Sequence, residues 1–232
     1  MNDTGKTALI VGASRGLGYA LTAEFLSRGW RVTATERTPS ALHELAESAE
    51  GRLTVETVDI TVPEQVAALR ERLARSAFDL LYVNAGTNYT TDPSATVADV
   101  STEDFARVMV TNVLSPLRVI ETLQDLVRAT GTIGVMSSGQ GSIADNTKGG
   151  FEVYRASKSA LNQLMRSFAA RHADDPRTLL LMAPGWVKTE LGGPGARLTI
   201  DESIPGVADT IEAYAGKGGL HYLDREGKTV NW

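Results

Sequence analysis

The sequence predicts an α/β domain, a parallel sheet of about seven strands doubly wound with helices on both faces. Three observations point there. Short apolar runs alternate with longer amphipathic ones along the chain. The short runs are continuously apolar, as in strands covered on both sides. A turn containing three glycines follows the first of them. Such alternation implies parallel strands joined by right-handed crossovers.

The elements follow in order. TALIV (7–11) is too short and too β-branched for a helix and reads as a strand. Gly16 to Arg28 spaces Leu17, Ala20, Leu21, Phe25 and Leu26 as a helix does. RVTAT (31–35) is a second strand, Pro39 to Glu47 a short helix, and LTVETV (53–58) a third strand. Pro63 to Arg75 places proline at a helix start. LLYVNA (80–85) is a fourth strand. Ser101 to Arg128 reads as one long helical region, with Ser101–Asp104 as a capping start. TIGVMS (132–137) is a fifth strand, Glu152 to His172 a helix, and TLLLMA (178–183) a sixth strand. A seventh falls near His221–Leu223 or Lys228–Val230. Thr189 to Pro205 is rich in Gly and Pro and reads as a flexible segment over the substrate side.

The chain of 232 residues suits a single domain over 1–232, with 42% hydrophobic and 22% charged residues. A net charge of -5 and the lack of a basic run argue against a nucleic-acid partner. With no cysteine, disulfides and thiolate metal sites are excluded. His43, His172 and His221 lie far apart, so no metal site is expected. No apolar run approaches membrane length and no secretion signal is evident, so the expectation is a cytoplasmic protein without a membrane partner.

Two local patterns carry chemistry. Gly12-Ala-Ser-Arg-Gly16-Leu-Gly18 stands at a strand-to-helix turn. Such a turn brings backbone close to a pyrophosphate, and the following helix offers free N–H groups and a positive dipole end. Its spacing is GxxxGxG rather than GxGxxG, and tight glycine turns also serve only to close corners. The second pattern is Tyr154-Arg-Ala-Ser-Lys158, which puts a phenol and an ammonium on one helix face. A partly buried tyrosine beside a solvated lysine is the ordinary reading. The sharper one is an acid whose ionisation is eased by its neighbour.

Further along stand Asn84-Ala85-Gly86 after the fourth strand, Asn112, Ser137-Ser138 after the fifth, and Pro184-Gly185-x-Val187-x-Thr189. Six motifs in this order resemble the short-chain dehydrogenase/reductase superfamily, from about Lys6 to Thr189. Residues 112–162 are similar to its carbonyl-reductase-like, C-factor-like branch. The resemblance implies a Rossmann-type sheet and a nicotinamide cofactor. It implies that Gly12, Ser14, Arg15, Gly16, Leu17 and Gly18 line the pyrophosphate side, and that Asp59 and Ile60 flank the adenine. It further implies that Asn84, Ala85 and Gly86 support the adenosine side, and that Pro184, Gly185, Val187 and Thr189 meet the nicotinamide end. Asp59 could instead be a helix cap before Pro63, and Asn84 could serve only as a turn former.

The implied reaction is hydride transfer between the cofactor and a carbonyl or alcohol, with Tyr154 as general acid and base. Free tyrosine ionises near about 10, so activity near neutral pH requires about 4 kcal/mol in favour of the phenolate. Lys158 and an oxidised nicotinamide would supply it. Ser138 would hydrogen-bond the reacting oxygen. Lys158 would also hold the cofactor ribose, and Asn112 would bind a water linking Lys158 to solvent. Ser138 ends the fifth strand but stands farther from Tyr154 than the family serine usually does; Ser137 and Ser142 are the competitors, and an insertion around Asp145–Gly150 accounts for the spacing.

Glu36, ending the second strand, aligns with the acidic position that favours NAD by bonding the ribose diol. Arg37 and Arg15 occupy positions that relatives use to grip a 2′-phosphate, favouring NADP. A phosphate beside a carboxylate is the costlier clash, which tips the expectation to NADH, with NADPH close behind. Gln140, Ile143, Asn146 and Trp186 would build the substrate surface, a mixed one that suits small or aromatic ketones and aldehydes. Relatives occur as homodimers, homotetramers and monomers. Two other readings stay open: a catalytically inactive dinucleotide sensor, and an extended-branch epimerase or dehydratase.

Overall fold

The computed structural model describes residues 5–232. Seven strands form one sheet: β1 Thr7–Val11, β2 Arg31–Glu36, β3 Leu53–Thr57, β4 Phe78–Val83, β5 Val127–Met136, β6 Thr178–Ala183 and β7 Gly219–Asp224. Their order is β3-β2-β1-β4-β5-β6-β7, and every pairing is parallel. The order reverses between β1 and β4, which opens a crevice at the carboxyl ends of the strands. The seventh strand takes the first of its two expected positions.

Alternate strand residues supply two cores. Leu9, Val11, Leu81, Val135 and Leu181 face α3 Pro63–Arg72, α5 Ser115–Leu123 and α6 Glu152–Arg171. Ala8, Ile10, Leu80, Tyr82 and Leu180 face α1 Gly16–Ser27, α2 Leu42–Ser48 and α7 Ile200–Tyr214. Both layers are therefore held by the pleat of one sheet.

Three segments depart from the expected elements. The helix read at Pro39 to Glu47 begins only at Leu42, because the Ser40 hydroxyl turns to the Glu36 carboxylate and the Leu42 N–H, leaving Pro39 in the loop. The long helix of Ser101 to Arg128 is four pieces: α4 Thr102–Met109, a π-turn Val110–Leu114, α5, and a 3-10 turn Gln124–Leu126. Pro116 has no N–H to give the Asn112 carbonyl four residues back, and the helix widens there. Val127 and Arg128 already belong to β5.

The flexible segment of 189–205 is corrected most. Ile200 onward is α7, started by a capping box in which Thr199 and Glu202 exchange hydrogen bonds of 2.7 and 3.2 Å. Pro205 lies inside this helix, and the carbonyl it cannot serve is that of solvent-exposed Asp201. The remaining stretch is pinned to itself: Lys188 N donates to the Leu198 carbonyl at 2.8 Å, and Trp186 Nε1 to that of Gly192 at 2.8 Å.

Candidate active site

The glycine turn is built for close approach. Gly12 (φ 85°) and Gly16 (φ 56°) adopt conformations that L side chains rarely take. A Cβ on Gly12 would meet Ala85 at 2.7 Å, and one on Gly18 would meet the Gly12 carbonyl oxygen at 2.2 Å. Asn84 Nδ2 donates to that same carbonyl at 2.8 Å, so Asn84 braces the turn. Helix α1 then starts behind an extended Arg15 with no side-chain cap and no acidic residue in its first turn. Its free N–H groups and positive dipole end face the crevice, an arrangement that fits a pyrophosphate. Ser14 and Leu17 are half-buried in the turn.

The carboxyl end of β5 and the first turns of α6 bring the reacting groups together. Gly149, Gly150 and Phe151 all have positive φ, and this left-handed run swings the chain into α6, placing Tyr154 in its first turn. The Ser138 side chain lies beside the Tyr154 phenol and favours its ionised form, while Ser138 Oγ accepts from Gln140 N at 3.1 Å. Lys158 is 3% exposed; its Nζ lies 5.7 Å from the Tyr154 ring centre and donates to the Met136 carbonyl at 2.9 Å. The competing serines are engaged elsewhere. Ser137 Oγ donates to Asn162 Oδ1 at 2.6 Å, and Ser142 Oγ accepts from Asp145 N at 3.0 Å.

Asn112 sits in the π-turn and is fully buried. Its Oδ1 accepts from Thr87 N at 2.7 Å, while its Nδ2 donates to the Thr87 carbonyl at 2.8 Å and to Ser157 Oγ at 2.9 Å. The side chain expected to hold a relay water thus has both amide hydrogens committed, and it splices the segment after Gly86 onto α6. A Cβ on Gly86 would lie in ordinary contact, 3.5 Å from both Asn112 Oδ1 and Lys158 Nζ, so Gly86 stands between these two side chains.

The eased ionisation expected of Tyr154 draws on a bound oxidised nicotinamide as well as Lys158; the protein by itself acts in the other direction. Tyr154 is pushed up to about 12, not lowered: burial is the largest cause, Tyr222 adds to it, and Ser138 opposes it only in part. Burial likewise lowers Lys158 to about 8. The protein by itself therefore favours a proton-carrying phenol beside a weakened ammonium.

At the adenosine end, Glu36 is 2% exposed, its carboxylate 2.6 Å from Ser40 Oγ and 2.7 Å from His43 Nε2. It is turned into the loop, which removes the ground on which NADH was favoured. Arg37 is exposed beside it. Asp59 accepts from both the N–H and the hydroxyl of Thr61 at 2.8 and 2.7 Å. Burial would raise its carboxyl, but Thr61 and the charge of Arg37 outweigh this and hold it below the ordinary range. Asp59 thus closes a local turn with Thr61, while the helix at Pro63 starts behind Val62 with no side-chain cap. The Ile60 side chain packs in the core at 5% exposure.

Across the crevice, Gly185 has φ 87°, the Pro184 carbonyl accepts from Ser203 Oγ at 2.7 Å, and Val187 is buried. Thr189 comes within 3.7 Å of the position of a Cβ on Gly16, and Glu190 forms an ion pair with Arg15. The segment 184–190 therefore closes against the glycine turn.

The four expected substrate contacts do not converge. Gln140, Ile143 and Asn146 line a groove of about 370 Å³ with Ser142, Glu152, Arg155 and Ser159, without Tyr154, Lys158 or Trp186. This groove runs between the turn Gly139–Gly141 and the first turns of α6. One residue that sequence reasoning missed is Tyr222, whose hydroxyl donates to the Ser138 carbonyl from a strand 84 positions away. No local pattern marks it. Among the described residues, no three His, Asp or Glu could hold a metal ion, and no helix is long and apolar enough to cross a membrane.

A family model, "short chain dehydrogenase", matches residues 6–196. A short-chain dehydrogenase/reductase of Burkholderia multivorans with bound NADP superposes with TM-score 0.95 at 60% identity, covering 98% of this chain and 99% of the other. A carbonyl reductase of Pseudomonas aeruginosa PAO1 in complex with NADP gives TM-score 0.88 at 37% identity over 98% and 99%. The 1-hydroxy-2-glutathionyl-2-methyl-3-butene dehydrogenase of Rhodococcus sp. (strain AD45) is 29% identical over 97% of this chain and 99% of its own. Motif order, sheet topology and these likenesses agree: the chain belongs to the short-chain dehydrogenase/reductase family of NAD(P)-dependent enzymes, on the side of the carbonyl reductases.

Proposed function

We propose that this protein is an NADPH-dependent reductase of small or aromatic aldehydes and ketones. The observation that carries the proposal is the grouping of Ser138, Tyr154 and buried Lys158 at the carboxyl edge of β5, with Lys158 Nζ 5.7 Å from the Tyr154 ring centre. Bound along that crevice, the reduced nicotinamide supplies the hydride. Tyr154 gives its proton to the carbonyl oxygen of the substrate as charge builds there. A phenol held near 12 keeps this proton throughout the neutral range, which suits reduction. Ser138 Oγ hydrogen-bonds the same oxygen and stabilises the developing charge. Lys158, fixed on the Met136 carbonyl, keeps a cation one helical turn from the phenol.

The choice of NADPH rests on Glu36 and Arg37. A carboxylate already occupied by Ser40 and His43 is withdrawn from the ribose. Exposed Arg37 and Arg15 are then the charged groups left at that end. The Arg15–Glu190 pair is exposed, and opening such a pair costs no more than about 1 kcal/mol. The two solved relatives described above carry NADP.

The test is a panel of aldehydes and ketones, 4-nitrobenzaldehyde among them, assayed with NADPH and NADH at the reduced nicotinamide band. Tyr154→Phe should bind cofactor and lose nearly all turnover. Near-normal turnover in that variant would sink the mechanism. Cofactor binding without turnover of any carbonyl would favour a dinucleotide sensor.

A further inference from the structure

Ser138 is held from two directions. Its side chain lies beside Tyr154, and its backbone carbonyl accepts the hydroxyl of Tyr222. Tyr222 lies on the edge strand β7, pairs in register with Leu181 of β6, and is 1% exposed. Its ring therefore reaches past β6 toward the end of β5, the strand that delivers Ser138.

The hydroxyl of Tyr222 is surrounded by groups that belong to the serine turn. Asn162 and Ser137 lie beside it, and Ser137 Oγ donates to Asn162 Oδ1 at 2.6 Å. Asn162 and Ser159 of α6 both donate to the Gly141 carbonyl, at 3.4 and 2.9 Å. A Cβ on Gly141 would press on Asn162 Nδ2 at 2.9 Å and on the Lys158 backbone at 3.1 Å, so the turn lies flat on the helix that carries Tyr154 and Lys158. The ring itself is fixed: Trp232 lies 5.5 Å away, and Arg166 stacks 4.2 Å over Trp232. Trp232 and Asn231 also fasten the same loop, through Ala144 N at 3.0 Å and Asp145 at 2.9 Å.

A purely structural tyrosine needs only its ring in the core. Here the hydroxyl ends on the backbone of Ser138, whose side chain lies beside the Tyr154 phenol. We propose that Tyr222 is a positioning residue for the reduction: by holding the Ser138 carbonyl it sets the Ser138 hydroxyl against Tyr154 and the substrate oxygen. The inference rests on the reductase reading above and adds to it a residue far in sequence from every motif. The closeness of the two phenols agrees with it, since Tyr222 adds to the upward push on Tyr154.

Tyr222→Phe keeps the ring and removes the hydroxyl. With NADPH and 4-nitrobenzaldehyde, kcat should fall about tenfold, the effect of losing about one buried hydrogen bond at the reacting geometry. The KM for aldehyde and the Kd for NADPH should stay within about twofold, because Tyr222 touches neither. In a Ser138→Ala background the same substitution should change kcat by less than about twofold, since what it positions is gone. An equal loss in both backgrounds would overturn the positioning role and leave the reductase reading standing. A wild-type kcat in Tyr222→Phe would overturn it also. If Ser138→Ala keeps full turnover, or the unsubstituted protein turns over no carbonyl, the reductase reading itself fails. Should Tyr222→Phe not fold, Ser137→Ala takes its place: it loosens the same network from the other side and should lower kcat about threefold without moving KM; an unchanged kcat there would overturn the inference.

Discussion

Lys158 gives its ammonium to the carbonyl of Met136 at 2.9 Å, one turn of helix below Tyr154 and two residues before Ser138. This bond ties α6 to the end of β5, so the acid, the cation and the serine move as one body. It also puts a charge where water does not reach, and the consequence is readable in stability.

In the unfolded chain the lysine keeps its proton to about 10.5, while in the folded chain burial lowers it to about 8. Between those values the unfolded state binds more protons, so stability rises with pH across the window. Below pH 8 the buried ammonium imposes its full penalty, about 3 kcal/mol. Lys158→Met should remove that pH dependence. Urea unfolding of both proteins without cofactor, at pH 7 and at pH 9.5, measures it. Identical pH slopes in the two would show that Lys158 is not the buried charge described.

Ser138→Ala should cost roughly 100-fold in kcat, the usual cost of removing one donor to a developing oxyanion. Ser142→Ala should cost little, because its hydroxyl only closes a turn on Asp145 N. A damaging Ser142→Ala beside a mild Ser138→Ala would reverse the assignment of the serine.

The parallel sheet was legible because its strands are unbroken apolar runs, and Tyr154 and Lys158 because one helical turn separates them. What escaped depends on longer reach. The Thr199–Glu202 capping box was present in the sequence, but Pro205 after it masked α7. The break at Asn112 follows from Pro116, whose missing N–H acts four residues back. The inward turn of Glu36 depends on Ser40 and His43 folding over it, and Tyr222 meets Ser138 only once β7 has joined the sheet. The upward push that the protein by itself exerts on Tyr154 escaped for a related reason: spacing reveals the neighbouring cation, whereas burial is a property of the whole fold.

Gly18→Ala should damage cofactor binding more than folding. The added methyl would lie 2.2 Å from the Gly12 carbonyl oxygen and 2.6 Å from Asn84 Nδ2. Relief requires moving the turn that Asn84 braces, a rearrangement costing about 1–3 kcal/mol. NADPH titration by fluorescence should show at least about tenfold weaker binding, with the fold kept by circular dichroism. Unaltered NADPH affinity would mean that the turn does not face the cofactor.

The cofactor preference is decided at the end of β2. Glu36 is buried, and its two oxygens serve Ser40 and His43, the residues that shape the loop carrying Arg37. Glu36→Ala should therefore act first on stability, because two polar partners lose their acceptor at about 1 kcal/mol or more each. It should not convert the enzyme toward NADPH, since the carboxylate is already withdrawn from the ribose. Arg37→Ala should weaken NADPH by about tenfold or more while leaving NADH nearly unchanged, because only the 2′-phosphate needs that guanidinium. Measuring kcat/KM with both reduced cofactors for wild type and the two variants separates these effects. A wild-type preference for NADH, with Arg37→Ala neutral for both, would restore Glu36 as a ribose ligand and require its side chain to swing out of the loop when cofactor binds.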